Sequence, residues 1–245
     1  MTPISGVSNR SSRLFAKGTG ACRTLSMKTL RCAKNFGLGA AAGTLICYPV
    51  NRGVRFIGEH LGLLDLDPKT HKKKALELLC KNNPNYDREK LENAPHYFEE
   101  LTAQLNQLNG TSTSVNTIKI TSIGIVGIAS PIAEEILFRW LLQDVILKKT
   151  PLFVLKKMTP GKEKLVDAKI TKCFRIGFVS TLFSAAHLLN QGIFPDSYVR
   201  QQIISTLFLG SICGILKESK LGLSGAIGAH IANNIVAIAP PVWRD

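Results

Sequence analysis

Apolar residues gather into five runs, about 36–64, 118–147, 174–190, 202–216 and 221–239, and the stretches between them are strongly polar. A bilayer core of ~30 Å needs about 20 apolar residues in helical form, and somewhat shorter spans are tolerated inside a bundle. Small residues recur within the later runs, with Gly210 and Gly214 four apart and Gly225, Gly228 and Ala229 close together. Such positions let helix backbones approach closely in lipid. The pattern predicts an all-α polytopic membrane bundle of about five spans. The stretch 65–117 is polar and broken by Pro68, Pro84 and Pro95, but Phe98, Leu101, Leu105 and Leu108 recur at three- and four-residue steps. That spacing predicts an amphipathic helix near 95–109 inside a small hydrophilic insertion.

Charge orients the spans. Residues 1–35 carry no acidic side chain, and seven Lys and Arg fall between Arg10 and Lys34. A basic segment followed by an apolar run also describes a secretory signal peptide. The basic lead is long for one, and the apolar stretch resumes beyond Arg55, so an uncleaved anchor helix is expected. The loop 148–175 holds eight Lys and one Arg against Glu163 and Asp167 alone, and Lys217 and Lys220 follow the fourth run. With five spans these basic groups share one face, which the positive-inside rule makes cytoplasmic, amino terminus included. The net charge of +14 suits nucleic acid or an anionic membrane surface. No stretch interleaves basic with aromatic residues as a single-strand binder would, so a nucleic-acid partner is not expected. The six cysteines (Cys22, Cys32, Cys47, Cys80, Cys173, Cys213) form no CxxC pair and fit buried small hydrophobes better than disulfides or a thiolate metal site.

Candidate chemistry lies inside the apolar runs. The second contains Pro131-Ile132-Ala133-Glu134-Glu135-Ile136-Leu137-Phe138-Arg139. Each charge at a span centre costs roughly 2.5–3.5 kcal/mol, so three approach ~10 kcal/mol before any pairing. Glu135 and Arg139 are one turn apart with the acid amino-terminal, the better orientation for an ion pair, which leaves Glu134 as the surplus carboxylate. A blander arrangement breaks 118–147 into two short helices with these charges at an aqueous boundary. His187 lies in the third run, where a lone histidine is more often a packing residue than a catalyst. His230 and Asn234 share a face of the last run, and their bland role is an interhelical hydrogen bond. Together the three runs offer a carboxylate, two imidazoles and a carboxamide. A carboxylate withdrawn from bulk water can act as a general base, and His and Asn can donate to a developing oxyanion. His and Glu are also ordinary ligands of zinc, although no HExxH is present.

The set EExxxR (Glu134, Glu135, Arg139), FxxxH (Phe183, His187) and HxxxN (His230, Asn234) resembles the CAAX-protease and bacteriocin-processing family, also called CPBP or Abi. The stretch from Phe208 through Gly210, Gly214 and Gly222 to His230 is similar to that family's last two core helices. The resemblance covers about 118–239. It implies an intramembrane endopeptidase in which Glu134 and His187 activate water and His230 and Asn234 stabilise the oxyanion. Glu135, Arg139 and Phe183 would support the site. It leaves open whether the enzyme is a metalloprotease, with Glu134, His187 and His230 on a divalent metal such as zinc, or needs no cofactor. The amino-terminal part and the 65–117 insertion depart from the family's pattern, which leaves the substrate open.

The organisation expected is therefore a basic segment 1–35, a first membrane helix 36–64, a polar, partly helical insertion 65–117 and a four-helix catalytic core 118–245. Membrane lipid and a peptide or protein substrate are the expected partners, and a bacterial inner membrane the expected location. Two rivals predict different behaviour. A non-catalytic scaffold or bacteriocin-immunity-type protein would keep the polar cluster for packing, and a proton or ion carrier would show flux without cleavage.

Overall fold

The computed structural model describes residues 27–47, 83–159, 161–191 and 196–244, with isolated positions between 48 and 82. The basic residues before 27 and most of the second half of the first apolar run lie outside the described residues. Among the described residues every regular element is helical.

Helix α1 covers 27–47 and starts well before Phe36, carrying Lys28, Arg31 and Lys34 on helical backbone. In the insertion, Asp87 caps α2 (Arg88–Asn93). Its carboxylate accepts from the Lys90 N–H at 3.1 Å, which holds the carboxyl below the usual range. Gln104 on α3 (Tyr97–Asn109) accepts from the Asp87 N–H at 2.8 Å and donates to the Asp87 carbonyl at 3.2 Å, stapling α3 to α2. Helix α3 is the amphipathic helix expected near 95–109. It stops at Gly110, whose φ of 62° is left-handed backbone that glycine adopts without strain.

The Ser114 hydroxyl accepts from the Thr117 N–H at 3.2 Å and opens α4, a continuous 44-residue helix, Val115–Met158. The two-helix alternative for this stretch does not occur. Two parts of α4, Ile123–Ala129 and Ile136–Lys149, are wound with i→i+5 hydrogen bonds. The wider turn has a consequence for burial: Gly127, Pro131, Glu135, Arg139 and Gln143, each four after the last, are all buried. In an α-helix of 3.6 residues per turn a four-residue repeat drifts off one face; more residues per turn bring it back into line. The helix also runs beyond Lys149 through Pro151 into what the sequence reads as a loop. Pro151 stands at the start of the final α-helical stretch, Thr150–Met158.

Helix α5 (Lys169–Ala186) ends in a single 3₁₀ turn, His187–Asn190, so His187 sits at a helix end rather than within a span. Helix α6 (Asp196–Glu218) packs against α5 and against α7 (Gly222–Arg244), and α7 packs against α4 and α1. Helices α4 and α6 are long and apolar enough to cross a membrane, and the whole is an all-α membrane bundle. Where α1 meets α7, a Cβ on Gly39 would overlap the Gly225 carbonyl, one on Gly43 that of Ala229, and one on Gly228 that of Phe36. Asn35 adds a polar tie, donating to the Leu221 carbonyl at 3.2 Å.

Near the ends of α4, α5 and α6 the charges interlock. The buried Arg175 guanidinium donates to Glu218 at 3.2 Å and to the Val166 carbonyl at 2.6 Å. Lys149 and Lys217 both approach Asp144, at 3.1 and 3.6 Å, and Lys148 lies 3.9 Å from Glu218. Lys148, Lys149, Arg175 and Lys217 of the basic cluster thus meet at one junction of three helices.

Candidate active site

The site begins with a proline. In the first wide stretch of α4 the Ser130 N–H reaches back to the Ile125 carbonyl. The next bond of that ladder would run from residue 131 to the Val126 carbonyl, but Pro131 has no N–H to give. An orphaned carbonyl needs another donor. Asn234 on α7 supplies it, its Nδ2 donating to Val126 O at 3.2 Å. The carboxamide holds a second N–H, and its Oδ1 accepts from Asn233 at 3.3 Å.

One turn further along α4 stand the two carboxylates. Glu134 keeps 29% of its side chain exposed, and its Oε1 accepts from the Ser130 hydroxyl at 2.6 Å. Glu135 is fully buried. As an ionised carboxylate it is only an acceptor, so His230 Nδ1–H donates to its Oε1, at 3.0 Å. Its Oε2 faces Arg139 Nε at 3.3 Å. That contact is an ion pair without an aligned hydrogen bond, for the three guanidinium nitrogens and Oε2 make none. The other ring nitrogen of His230, Nε2, lies 3.6 Å from Glu134 Oε2. This is beyond a direct hydrogen bond, yet close enough that one water beside the pair could reach both atoms. His230 therefore stands between the two carboxylates, tied to the buried one and facing the half-exposed one.

Phe183 on α5 is the hub. Its buried ring meets His187 edge-on at 5.1 Å between centroids, His230 at 5.5 Å and Phe138 at 5.2 Å, and Arg139 lies 5.5 Å over its face. His187 Nδ1 is committed to the Phe183 carbonyl at 2.9 Å, leaving Nε2 as its working atom. Glu134, Glu135, Arg139, Phe183 and His230 thus form one connected cluster. His187 reaches it through the Phe183 ring, and Asn234 joins through the α4 carbonyl.

A divalent metal held by Glu134, His187 and His230 was the alternative. Among the described residues no three His, Cys, Asp or Glu side chains converge as a metal-holding group. No step below passes through such an ion.

The family model for type II CAAX prenyl endopeptidases, Rce1-like, matches residues 116–236. Residues 116–236 belong to that family. No curated relative and no solved structure matches the chain. The matched region runs from the start of α4 to within α7 and contains the whole cluster just described. The chain is accordingly a peptide hydrolase of the CAAX-protease type and an integral membrane protein.

Three features of this CAAX-protease domain escaped the sequence reading. Nothing in the sequence sets Ser130 apart from the chain's other hydroxyls. Gln143 continues the four-residue repeat after Glu135 and Arg139, and its Nε2 bonds the Gly214 carbonyl and Glu218, each at 3.3 Å. The repeat itself was the signal that could have found it. The Val126 carbonyl, being backbone, had none.

Proposed function

We propose that the chain is an intramembrane endopeptidase in which Glu134 is the general base and His187, His230 and Asn234 surround the reacting carbonyl. Water shared by Glu134 and the imidazoles attacks the scissile carbonyl carbon and gives its proton to the Glu134 carboxylate. The carbonyl π electrons move to oxygen, and N–H groups of His230 and Asn234 donate to that oxyanion. When His230 carries both ring protons it donates from Nε2 as well as from Nδ1. Collapse breaks the C–N bond, and the amine leaves with the proton held by Glu134. His187, with Nε2 open, helps to orient the water. The observation that carries this reading is the 3.6 Å approach of His230 Nε2 to a half-exposed Glu134, with Glu135 gripping the far side of the same ring.

The family description names prenylated CAAX tails as the substrate class, and an extended carboxyl-terminal peptide bearing a lipid is the class we propose here. Turnover of a farnesylated CAAX peptide and of the same peptide without lipid should be compared in proteoliposomes. Cleavage is expected for the lipidated peptide. Glu134→Gln should lower kcat by ~10²–10⁴-fold, the usual contribution of a general base, while the melting temperature is kept. Parental turnover in that variant would refute the assignment.

A further inference from the structure

Ser130 does not follow the commonest pattern of helical hydroxyls in this bundle. Within helices a Ser or Thr side chain commonly donates back to the carbonyl four residues earlier. Thr44, Ser180, Thr181, Thr206 and Ser211 all do so here, at 2.7–3.1 Å. For Ser130 that carbonyl would be Val126 O, which accepts from Asn234 instead. Its hydroxyl points the other way along the helix and donates to Glu134 Oε1 at 2.6 Å. With Oε1 fixed on Ser130, Oε2 is the oxygen turned to His230 Nε2.

We infer that Ser130 is a positioning residue for hydrolysis: its hydroxyl locks the Glu134 carboxylate with one oxygen presented to water and to His230. Without the lock, Glu134 is free to leave its station beside His230, and a general base displaced by a fraction of its hydrogen-bond length loses much of its effect. The inference rests on Glu134 being the base, as proposed above.

The test uses the full chain in proteoliposomes with the farnesylated peptide, and reads kcat, KM and melting temperature for Ser130→Ala, Ser130→Thr and Glu134→Gln. Losing a hydrogen bond to a charged group should lower kcat about 10-fold or more in Ser130→Ala, with KM and melting temperature at parental values. Ser130→Thr, which keeps the hydroxyl, should recover most of that loss. Parental kcat in Ser130→Ala beside an inactive Glu134→Gln would overturn this inference and leave the function standing. An active Glu134→Gln would remove the function and this inference together. A loss that Thr does not rescue, or one that follows a lowered melting temperature, makes Ser130 a packing residue and overturns the inference.

Discussion

Glu134 and Glu135 are neighbours in sequence with unlike surroundings. Glu135 is fully buried and bound on one oxygen by His230 and faced on the other by Arg139, whereas Glu134 keeps part of its surface open and meets only a hydroxyl and the edge of an imidazole. Removing the charge of Glu135 strands a buried guanidinium that makes no hydrogen bond among the described residues, and breaking one half of a buried pair costs ~3–5 kcal/mol. Glu135→Gln should therefore melt well below the parent. Its amide oxygen can still accept from His230 Nδ1–H, so turnover per folded molecule should fall much less than in Glu134→Gln. Melting curves and active-site-normalised rates for both variants decide the matter. An unfolded Glu134→Gln beside a folded, inactive Glu135→Gln would reverse the two roles. The residue types of the site were legible because charge in an apolar run is costly and the spacing to Arg139 is one turn. What could not be read was His230 reaching both carboxylates, because the contact joins α7 to α4 across the fold. The Ser130 hydrogen bond stayed hidden for another reason: nothing in sequence tells a hydroxyl turned to a side chain from one turned to its own backbone.

Among the elements, hydropathy located the helices but not their ends. Runs predicted at 174–190, 202–216 and 221–239 correspond to α5 with its terminal turn, α6 and α7. Helix α3, Tyr97–Asn109, falls within the 95–109 that its apolar spacing predicts. By contrast α1 and α4 extend past their apolar runs, because Lys and Arg are good helix formers and a helix need not stop where the lipid does. The i→i+5 stretches of α4 have no compositional signature; only Pro131 hints that the ladder there is incomplete. The contact between α1 and α7 places the helix carrying His230, and it is made by glycines that admit no side chain. Gly43→Leu should push α1 off α7 beside Ala229, lowering both melting temperature and turnover. Gly37→Leu on the same helix has open space around its Cβ and should match the parent, or gain slightly from helix propensity, by up to ~1 kcal/mol. Equal behaviour of the two variants would show that α1 does not support the catalytic helix.

For the molecule as a whole, α4 fixes the relation between its two polar regions. The insertion with α2 and α3 leads into its first residue, and the Lys-rich segment leaves from its last. At ~1.5 Å per residue a 44-residue helix reaches on the order of 60 Å, and the wide turns shorten it without bringing it near the ~30 Å of a bilayer core. A continuous helix of that length, with its apolar part in lipid, must deliver its two ends to opposite sides. Arg175, Lys148, Lys149 and Lys217 gather at the junction near the carboxyl end of α4, and the positive-inside rule makes that side cytoplasmic. If α1, α5, α6 and α7 cross as well, as the five apolar runs lead one to expect, the amino terminus would share that side and the carboxyl terminus would lie opposite. A reporter inserted near residue 160 should be protected from an external labelling reagent in intact cells, and one near residue 90 should be labelled. A third reporter at the amino terminus should behave like the one at 160. Labelling of both 90 and 160 would mean that α4 does not cross, which would remove the membrane frame of the site. A labelled amino terminus with 160 protected would leave α4 in place and take α1 out of the count.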